Sequence, residues 1–499
     1  MKQLLYIASA RPVYLLLLPV FFLVHAYVRF AGLLDTKEVI MGFLKISAGI
    51  LLFFICLKLI WKDAGKAAVT TVLCGIVCLF FGDIKYTLSQ LPMLRTVAHY
   101  KTFIPLLLIL FVLFVYKVHR SKQLTRTTLF LNLLFLLYIV IDAISWLSPG
   151  GKKTGIFRTE LKPAGQTSGK RPNIYYILLD CYPSPGYQQE MLGIANHYLD
   201  SNLSSKGFYV VKDARSNYSN TAFSMASTLG LHYLTNLDTV NRMDAYHYNR
   251  SMAIVKKSPF IKMIRSSGYS IYNLSIFDMA DQPAIRKDYF LSASGTQLLF
   301  YNTMWSCFKR DLLWQINQVN KKLAAEKKIK ESKKFFAPQK VYNLRLLDSL
   351  SKFQPVDNDN QPFFLYAHLK MPHFPYFFDE NGDPYPDEAI YTDSLITDKK
   401  KFTGYIRYTD QKARELIDTI LKRSGGNDII ILQSDHSIAD MDWSRKNDAF
   451  RNYSAFYFPD KDYRQLYAGM SNVNTFRVIL NKYFGQQLPL LPDKSFYTR

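Results

Sequence analysis

Two stretches decide the fold of this 499-residue chain, Asn173-Ile-Tyr-Tyr-Ile-Leu-Leu-Asp180 and Asp428-Ile-Ile-Ile-Leu-Gln-Ser-Asp435-His436. A short, nearly continuous apolar run is typical of a strand that is buried on both faces of a parallel sheet. Each run ends in an acidic residue, and open α/β sheets place their sites at the carboxyl ends of their strands. We therefore predict that Asp180, Asp435 and His436 meet at one edge of a sheet.

Further elements surround these two strands in alternating order. We expect a third strand at Pro362-Phe-Phe-Leu-Tyr-Ala-His368, strands at about 269–276 and 453–458, and helices at about 402–423 and 474–484. Strands that alternate with helices predict an α/β domain with a mostly parallel or mixed central sheet flanked by helices. We assign this domain to residues 173–499.

The first part of the chain has a different character, because Leu, Ile, Val and Phe dominate residues 1–148. Several of its apolar stretches reach the roughly 20 residues that cross a bilayer. No small-residue cleavage site follows the first stretch, which disfavours a signal peptide. We predict a transmembrane domain of about five helices and a linker over residues 149–172, which is rich in glycine. The apolar stretches are at about 12–30, 39–60, 67–82, 103–118 and 127–148, of which the third and fourth are the shorter.

The charge of the loops predicts the orientation of this domain. With the N-terminus inside, the inner flanks carry nine Lys and Arg and the outer loops carry five, and basic loops stay on the cytoplasmic side. An odd number of spans then places the α/β domain outside the cytoplasm, on the cell (inner or plasma) membrane. The net charge of +23 suits an anionic partner. A membrane surface or a phosphorylated substrate fits better than nucleic acid, because the apolar helices lie in a bilayer.

A candidate nucleophile lies between the strands, in Ser216-Asn-Tyr-Ser-Asn-Thr221-Ala-Phe-Ser-Met-Ala. Polar residues precede a helix-compatible stretch, so Thr221 is expected at a helix N-terminus, where anions bind. A threonine hydroxyl is a weak nucleophile unless a base or a metal activates it. Each feature also has a plainer interpretation as a helix cap or a turn, and the combination favours a site.

The chain resembles the alkaline phosphatase and sulfatase superfamily, including membrane phosphoethanolamine and phosphoglycerol (lipoteichoic acid synthase-like) transferases. Ser434-Asp435-His436-Ser437 is similar to the Ser-Asp-His-Gly of the family. Thr221-Ala-Phe-Ser-Met-Ala is similar to the nucleophile segment of lipid A phosphoethanolamine transferases. The pair formed by His368 and His373-Phe-Pro-Tyr resembles a substrate-side loop of membrane members. The resemblance covers about 172–485.

The resemblance implies a ligand set for one divalent metal ion, with Zn²⁺ or Mn²⁺ favoured and Mg²⁺ or Ca²⁺ possible. The implied ligands are Asp180, Thr221, Asp435 and His436. It also implies that Thr221 attacks the substrate, and that His373 and His368 bind the substrate or protonate the leaving group. This chain departs from the sulfatase pattern at Cys181, where a second acid often follows the first.

The leading hypothesis is a metal-dependent phosphoryl-group transferase or hydrolase of the cell envelope. Its substrate would be an extracytoplasmic lipid or glycan phosphoester of phosphoethanolamine or phosphoglycerol type. Classical sulfatases convert a Cys or Ser in C/S-x-P-x-R to formylglycine, but Cys181-Tyr-Pro-Ser-Pro185 lacks the arginine and Thr221 cannot be converted. A sulfatase-like sulfuric ester hydrolase and a non-catalytic membrane scaffold remain as alternatives.

Overall fold

The chain forms two compact units in the computed structural model. The first contains Met1–Ile156 and Ala293–Lys322, and the second contains Phe157–Ser292 and Leu323–Arg499. Residues 293–322, which the sequence analysis assigned to the α/β domain, thus cluster with the N-terminal unit. Most of the predicted linker lies outside the described residues. The structure describes residues 11–30, 34, 36–121, 124–147, 161–162, 171–195, 198–234, 243, 245–286, 295–309, 311, 325–355, 361–391, 398–438 and 443–498.

The secondary structure of the described residues comprises helices in both units and six strands. The α-helices are α1 (Tyr14–Arg29), α2 (Thr36–Trp61), α3 (Ala64–Gln90), α4 (Tyr100–Arg120), α5 (Thr125–Leu147), α6 (Pro185–Leu192), α7 (Tyr198–Ser205), α8 (Thr221–Gly230), α9 (Ala245–Lys256), α10 (Pro259–Ser266), α11 (Gly295–Leu299), α12 (Met304–Phe308), α13 (Ala325–Ser351), α14 (Asp387–Ile390), α15 (Lys399–Ser424) and α16 (Thr475–Tyr483). The strands are β1 (Ile174–Leu179), β2 (Tyr209–Val210), β3 (Ser270–Leu274), β4 (Phe363–Leu369), β5 (Ile429–Ser434) and β6 (Ser454–Tyr457). Short 3₁₀ turns lie at Pro92–Leu94, Trp443–Phe450 and Asn472–Asn474.

The first unit holds a helix at each of the five predicted apolar stretches. By length and composition, α2, α3, α4 and α5 can cross a membrane, whereas α1 has 16 residues and is shorter. The helices at the two shorter apolar stretches extend beyond them, since α3 has 27 residues and α4 has 21. Polar residues at their ends continue these helices beyond the apolar windows. Among the described residues, four helices are thus long and apolar enough to span a membrane, one fewer than the five predicted.

Helix α3 is kinked, and the segment that returns to this unit lies against the kink. Phe80 has non-helical backbone angles (φ −110°, ψ 18°). The N–H of Gly82, two residues further on, donates to the carbonyl of Asn302 at 2.7 Å. A Cβ atom on Gly82 would lie 3.0 Å from the Cα of Asn302, so only glycine permits this approach. The carbonyl of Asn302 therefore satisfies a backbone group within an apolar helix, as burial away from water requires.

The second unit contains a mixed six-stranded sheet in the order β2-β6-β5-β1-β4-β3. The strands β3, β4, β1 and β5 run parallel, while β6 and β2 pair antiparallel at one side. Every residue of β1, β4 and β5 is buried, as the apolar runs predicted. The prediction of an α/β domain with a mixed sheet is confirmed. The two-residue strand β2 was not predicted, because it is too short for a periodic pattern.

Helix α15 packs beside the sheet and carries an unusual acid, Asp410. The hydroxyl of Tyr182, just after β1, donates to Oδ1 of Asp410 at 2.5 Å. Burial raises the pKa of Asp410 to about 7, although the hydrogen bond from Tyr182 lowers it. The folded chain therefore binds this proton more tightly than the unfolded chain does, so stability falls as the pH rises from about 4 to 7.

We expect Asp410→Asn to raise the thermal midpoint of the second unit by roughly 3–5 °C at pH 8, because the amide needs no proton to be neutral. At pH 4.5, where the native carboxyl is protonated, the variant should match the unmodified chain. Differential scanning calorimetry at the two pH values measures both. Asp418→Asn, on the same helix and exposed, is the control and should show no such dependence on pH. An equal change of the thermal midpoint at both pH values would contradict the raised pKa of Asp410.

Candidate active site

The two central parallel strands deliver the acids of the site. Asp180 directly follows β1 and Asp435 directly follows β5, and the strand register pairs Leu179 with Ser434. Adjacent parallel strands thus end level with each other, and the side chains that follow them meet. A carboxylate oxygen of each acid and a ring nitrogen of His436 all lie within 4.8 Å of one another. The side chains of both acids are buried, with residue exposures of 1% and 0%.

Thr221 lies beside this group at the first position of α8. Its Oγ1 is 3.2 Å from Nε2 of His436. The side chain of Asn220 caps the helix by accepting the N–H of Ala222 at 3.1 Å. The N-terminal N–H groups of α8 and its dipole favour an anionic group at this position, as the sequence predicted.

The hydrogen bonds of His436 define its tautomer. Nδ1 lies 2.7 Å from the carbonyl oxygen of Ser437, which can only accept, so Nδ1 carries the proton. Nε2 then presents a lone pair, and the Thr221 hydroxyl donates to it. A neutral imidazole with its lone pair directed into the site is the form that binds a metal ion.

The buried carboxylates test whether the site fits a cation. Among the described residues, Oδ1 of Asp180 and Oδ2 of Asp435 have no hydrogen-bond partner. Oδ2 of Asp435 lies 3.3 Å from Nε2 of His436, so two lone-pair atoms face each other. Buried charges without partners are costly, and a divalent ion bound between these atoms would satisfy them. Carboxylate, imidazole and hydroxyl donors suit Zn²⁺ or Mn²⁺, so the residues present fit the implied metal.

The ring of His368 contacts Asp180 and orients its carboxylate. Its Nε2 is 3.4 Å from Oδ2 of Asp180, and the hydroxyl of Tyr366 lies 2.9 Å from its Nδ1. The sequence analysis expected His368 to bind the substrate, but its side chain is fully buried on β4 and faces the acid. A buried ring in this position can orient the acid as a metal ligand.

Cationic groups surround Asp180. Burial by itself raises the pKa of this carboxyl, but the charges of His373, His368 and Lys370 outweigh burial and hold the pKa well below its usual range. Asp180 is therefore ionised, which is the form a metal ligand requires.

The predicted loop after β4 brings His373 to the site. A ring nitrogen of His373, a carboxylate oxygen of Asp180 and Sγ of Cys181 lie within 4.8 Å of one another. His373 is partly exposed, and its Nδ1 donates to the carbonyl of Phe374 at 2.5 Å. Its other nitrogen can therefore exchange a proton with a bound group.

Helix α13 holds this loop in place through residues that the sequence analysis missed. The side chain of Asn343 accepts the N–H of Lys370 at 2.9 Å and donates to its carbonyl at 2.8 Å. The hydroxyl of Tyr342 donates to the carbonyl of His368 at 2.8 Å. Lys370 could have been noticed as a charge directly after an apolar strand, which is the signal that identified Asp180. No local pattern marks Asn343 or Tyr342.

Three further polar side chains fix the loop after β5, and these were also missed. Ser224 on α8 donates to the carbonyl of Asp435 at 2.5 Å. Asn452 and Asn472 donate to the carbonyl of Ser434 at 2.6 and 2.9 Å. The bond from Ser224 joins α8, which begins at Thr221, to the loop that carries Asp435.

This arrangement agrees with the comparison of the sequence with protein families. The model of the family described as Sulfatase matches residues 172–478. The chain belongs to the sulfatase family. The predicted membership of the alkaline phosphatase and sulfatase superfamily is thereby confirmed. The match covers the strands that carry Asp180 and Asp435 and the helix that begins at Thr221. No match was found among curated proteins.

Solved structures similar to this sulfatase-family chain include three periplasmic or soluble domains. The C-terminal periplasmic domain of EptC from Escherichia coli is 11% identical, with 65% of this chain and 86% of that chain covered and a TM-score of 0.37. The C-terminal periplasmic domain of the phosphoethanolamine transferase EptC from Campylobacter jejuni is 11% identical, with 65% and 92% covered and a TM-score of 0.38. The soluble domain of lipooligosaccharide phosphoethanolamine transferase A from Neisseria meningitidis is 12% identical, with 64% and 89% covered and a TM-score of 0.36.

Proposed function

We propose that this sulfatase-family chain is a membrane-anchored, metal-dependent phosphoryl-group transferase or hydrolase with Thr221 as its nucleophile. Its substrate would be an extracytoplasmic phosphoester of a lipid or glycan, of phosphoethanolamine or phosphoglycerol type. One observation carries the proposal. The Thr221 hydroxyl lies at a helix N-terminus, 3.2 Å from the lone pair of His436 and beside two buried carboxylates.

The metal would be held by atoms that already converge. Asp180, Asp435 and His436 would supply two oxygens and one nitrogen, and the hydroxyl of Thr221 would complete the set. When bound, the divalent ion would favour the alkoxide form of the hydroxyl and neutralise charge on the phosphoryl oxygens. We infer Zn²⁺ or Mn²⁺ rather than Mg²⁺ or Ca²⁺, because the set includes an imidazole.

The residues divide the reaction into two displacements at phosphorus. Oγ1 of Thr221 loses its proton to solvent and forms a bond to phosphorus, while the bond from phosphorus to the leaving-group oxygen of the donor breaks and that oxygen takes a proton, which we assign to His373. The threonine then carries the phosphoryl group as an ester. An acceptor hydroxyl or water, after losing a proton, attacks phosphorus and releases Thr221. The N–H groups at the start of α8 would stabilise charge on the phosphoryl oxygens in both steps.

A sulfuric ester hydrolase is the second candidate, because the family takes its name from that reaction. Threonine cannot become formylglycine, so this chemistry would need a different nucleophile. A vesicle assay of the full chain separates the two candidates. We expect diacylglycerol release from vesicles that contain phosphatidylethanolamine or phosphatidylglycerol. We expect no sulfate release from p-nitrophenyl sulfate above background. Sulfate release without lipid turnover would reverse the assignment. If the chain shows no lipid turnover and no sulfate release, the result would favour a non-catalytic scaffold.

His373 is proposed to protonate the leaving group, and the chemistry of the donor tests this role. His373→Gln should lower turnover of a lipid donor, whose leaving group is a poor alkoxide, by about 10²–10³-fold. Turnover of a p-nitrophenyl phosphoester should fall less than about 10-fold, because its leaving group needs no proton. His232→Gln is a matched control, since the His232 ring also contacts the carbonyl of the next residue. Equal losses with both donors would contradict the proposal.

A further inference from the structure

Cys181 lies in the candidate active site but takes no part in the function proposed above. It follows Asp180 and has a positive φ of 62°, which is uncommon for a residue other than glycine. Its N–H donates to Oδ1 of Asp435 at 3.2 Å. Such conformations persist where the surroundings hold them, and they cluster at functional sites. The turn keeps this side chain among the site residues.

The sulfur lies at a ligand-like distance from other donor atoms. Sγ is 3.6 Å from Nδ1 and 3.9 Å from Nε2 of His436, and it lies within 4.8 Å of donor atoms of Asp180 and His373. Zinc bond lengths of about 2.0–2.3 Å put neighbouring donors on a four- or five-coordinate ion roughly 3.0–3.6 Å apart. The separations of Thr221 Oγ1 (3.2 Å) and Asp435 Oδ2 (3.3 Å) from Nε2 fall near this range. The sulfur lies farther from Nε2 than this range and would move toward the ion to bind it.

A second observation distinguishes Cys181 from a cysteine that merely fills space. Buried structural cysteines behave as small apolar side chains. The neighbours of Cys181 are instead ionisable. In the part of the chain that the structure describes, Oδ1 of Asp180 and Oδ2 of Asp435 are buried without a hydrogen-bond partner. Asp180 belongs to one group of close donor atoms with Cys181 and His373 and to another with Asp435 and His436. The two oxygens without partners require a cation independently of the sulfur.

We infer that the Cys181 thiolate is a further ligand of the metal ion and makes the site selective for zinc-like cations. This inference rests on the metal proposed above and adds the ligand that decides its identity. Thiolates prefer Zn²⁺, Co²⁺ and Cd²⁺ to Mg²⁺, Ca²⁺ and Mn²⁺. On binding, the thiol loses its proton to solvent and a sulfur–metal bond forms, without any change in oxidation state.

Cobalt provides a direct test, because a thiolate on Co²⁺ produces an intense near-ultraviolet charge-transfer band that oxygen and nitrogen ligands do not. The full chain in detergent is stripped of metal and titrated with Co²⁺, while bound cobalt is measured by atomic emission. We expect the band in the unmodified chain and in Cys307→Ala, which changes a buried cysteine of the other unit. We expect Cys181→Ser to bind Co²⁺ without the band. The preference of Cys181→Ser for Zn²⁺ over Mn²⁺, measured as the ratio of the two dissociation constants, should be at least about 10-fold lower than that of the unmodified chain.

The outcomes separate the two proposals. Bound Co²⁺ without the band in the unmodified chain would overturn the role of Cys181 and leave the other ligands in place. A band that survives in Cys181→Ser would also overturn it. If the unmodified chain binds no Co²⁺, Zn²⁺ or Mn²⁺, the metal site itself is wrong and both proposals fail. The spectrum of the unmodified chain decides the matter even if the serine variant does not fold.

Discussion

Replacing Thr221 with alanine is expected to lower phosphoryl transfer by at least about 10³-fold, because the reaction loses the atom that attacks phosphorus. Residual turnover would come from the remaining charged groups, as in other enzymes that lose a nucleophile. The fold should persist, since the Thr221 side chain is only partly buried and the cap at Asn220 remains. Steady-state rates with a lipid donor measure the effect.

Two variants on the same helix sharpen this prediction. Thr221→Ser keeps the hydroxyl and should retain activity within about 10-fold, because the attacking oxygen and its contact with His436 survive. Thr228→Ala removes a hydroxyl that donates to the carbonyl of Ser224 at 2.9 Å and lies further along the helix. This variant should keep its rate. Full activity of Thr221→Ala would rule out the threonine as nucleophile.

The second large effect is expected at Asp435. Zn²⁺ that binds only the folded chain should raise the thermal midpoint of the second unit, with about 4 kcal/mol gained at a concentration 1,000 times the dissociation constant. Asp435→Asn should abolish this rise and lower activity at least about 10²-fold, because the amide carries no charge for the ion. Without metal, the variant should be at least as stable as the unmodified chain, since a buried carboxylate has been removed.

The geometry of Asp435 makes this substitution a clean one. The amide oxygen of asparagine can still accept the N–H of Cys181, which Oδ1 of Asp435 now accepts at 3.2 Å. Asp418→Asn on α15 is the control and should keep the full response to Zn²⁺, because that carboxylate is exposed and pairs with Lys206. Scanning calorimetry with Zn²⁺ and with a chelator measures both variants. An undiminished response of Asp435→Asn would place the metal elsewhere.

Much of the site could be predicted because its information is local. The apolar run from Ile174 and the acid that ends it lie within a few residues of each other, and so do the run before Asp435 and His436. Two such strands need only to be parallel neighbours for their acids to meet, and the sheet provides this arrangement. The position of Thr221 followed from the polar cap before an apolar helix.

The rest depended on contacts that no local pattern encodes. His368 ends an apolar run in the sequence, as Asp180 does, but the structure places it within β4, where its ring is buried and faces that acid. Asn343 reaches Lys370 from a helix that begins far from the loop in sequence. The assignment of residues 293–322 to the α/β domain followed their composition. The hydrogen bond between Asn302 and Gly82, beside the kink of α3, is a tertiary feature that no local pattern predicts.

Peptide mass spectrometry of the full chain, quenched in acid during turnover of a lipid donor, tests the central claim most directly. The account predicts that the peptide containing Thr221 carries the transferred phosphoryl group, and that this mass is absent from Asp435→Asn. A phosphoryl group found on another residue, or none trapped in a chain that is turning over its donor, would contradict it.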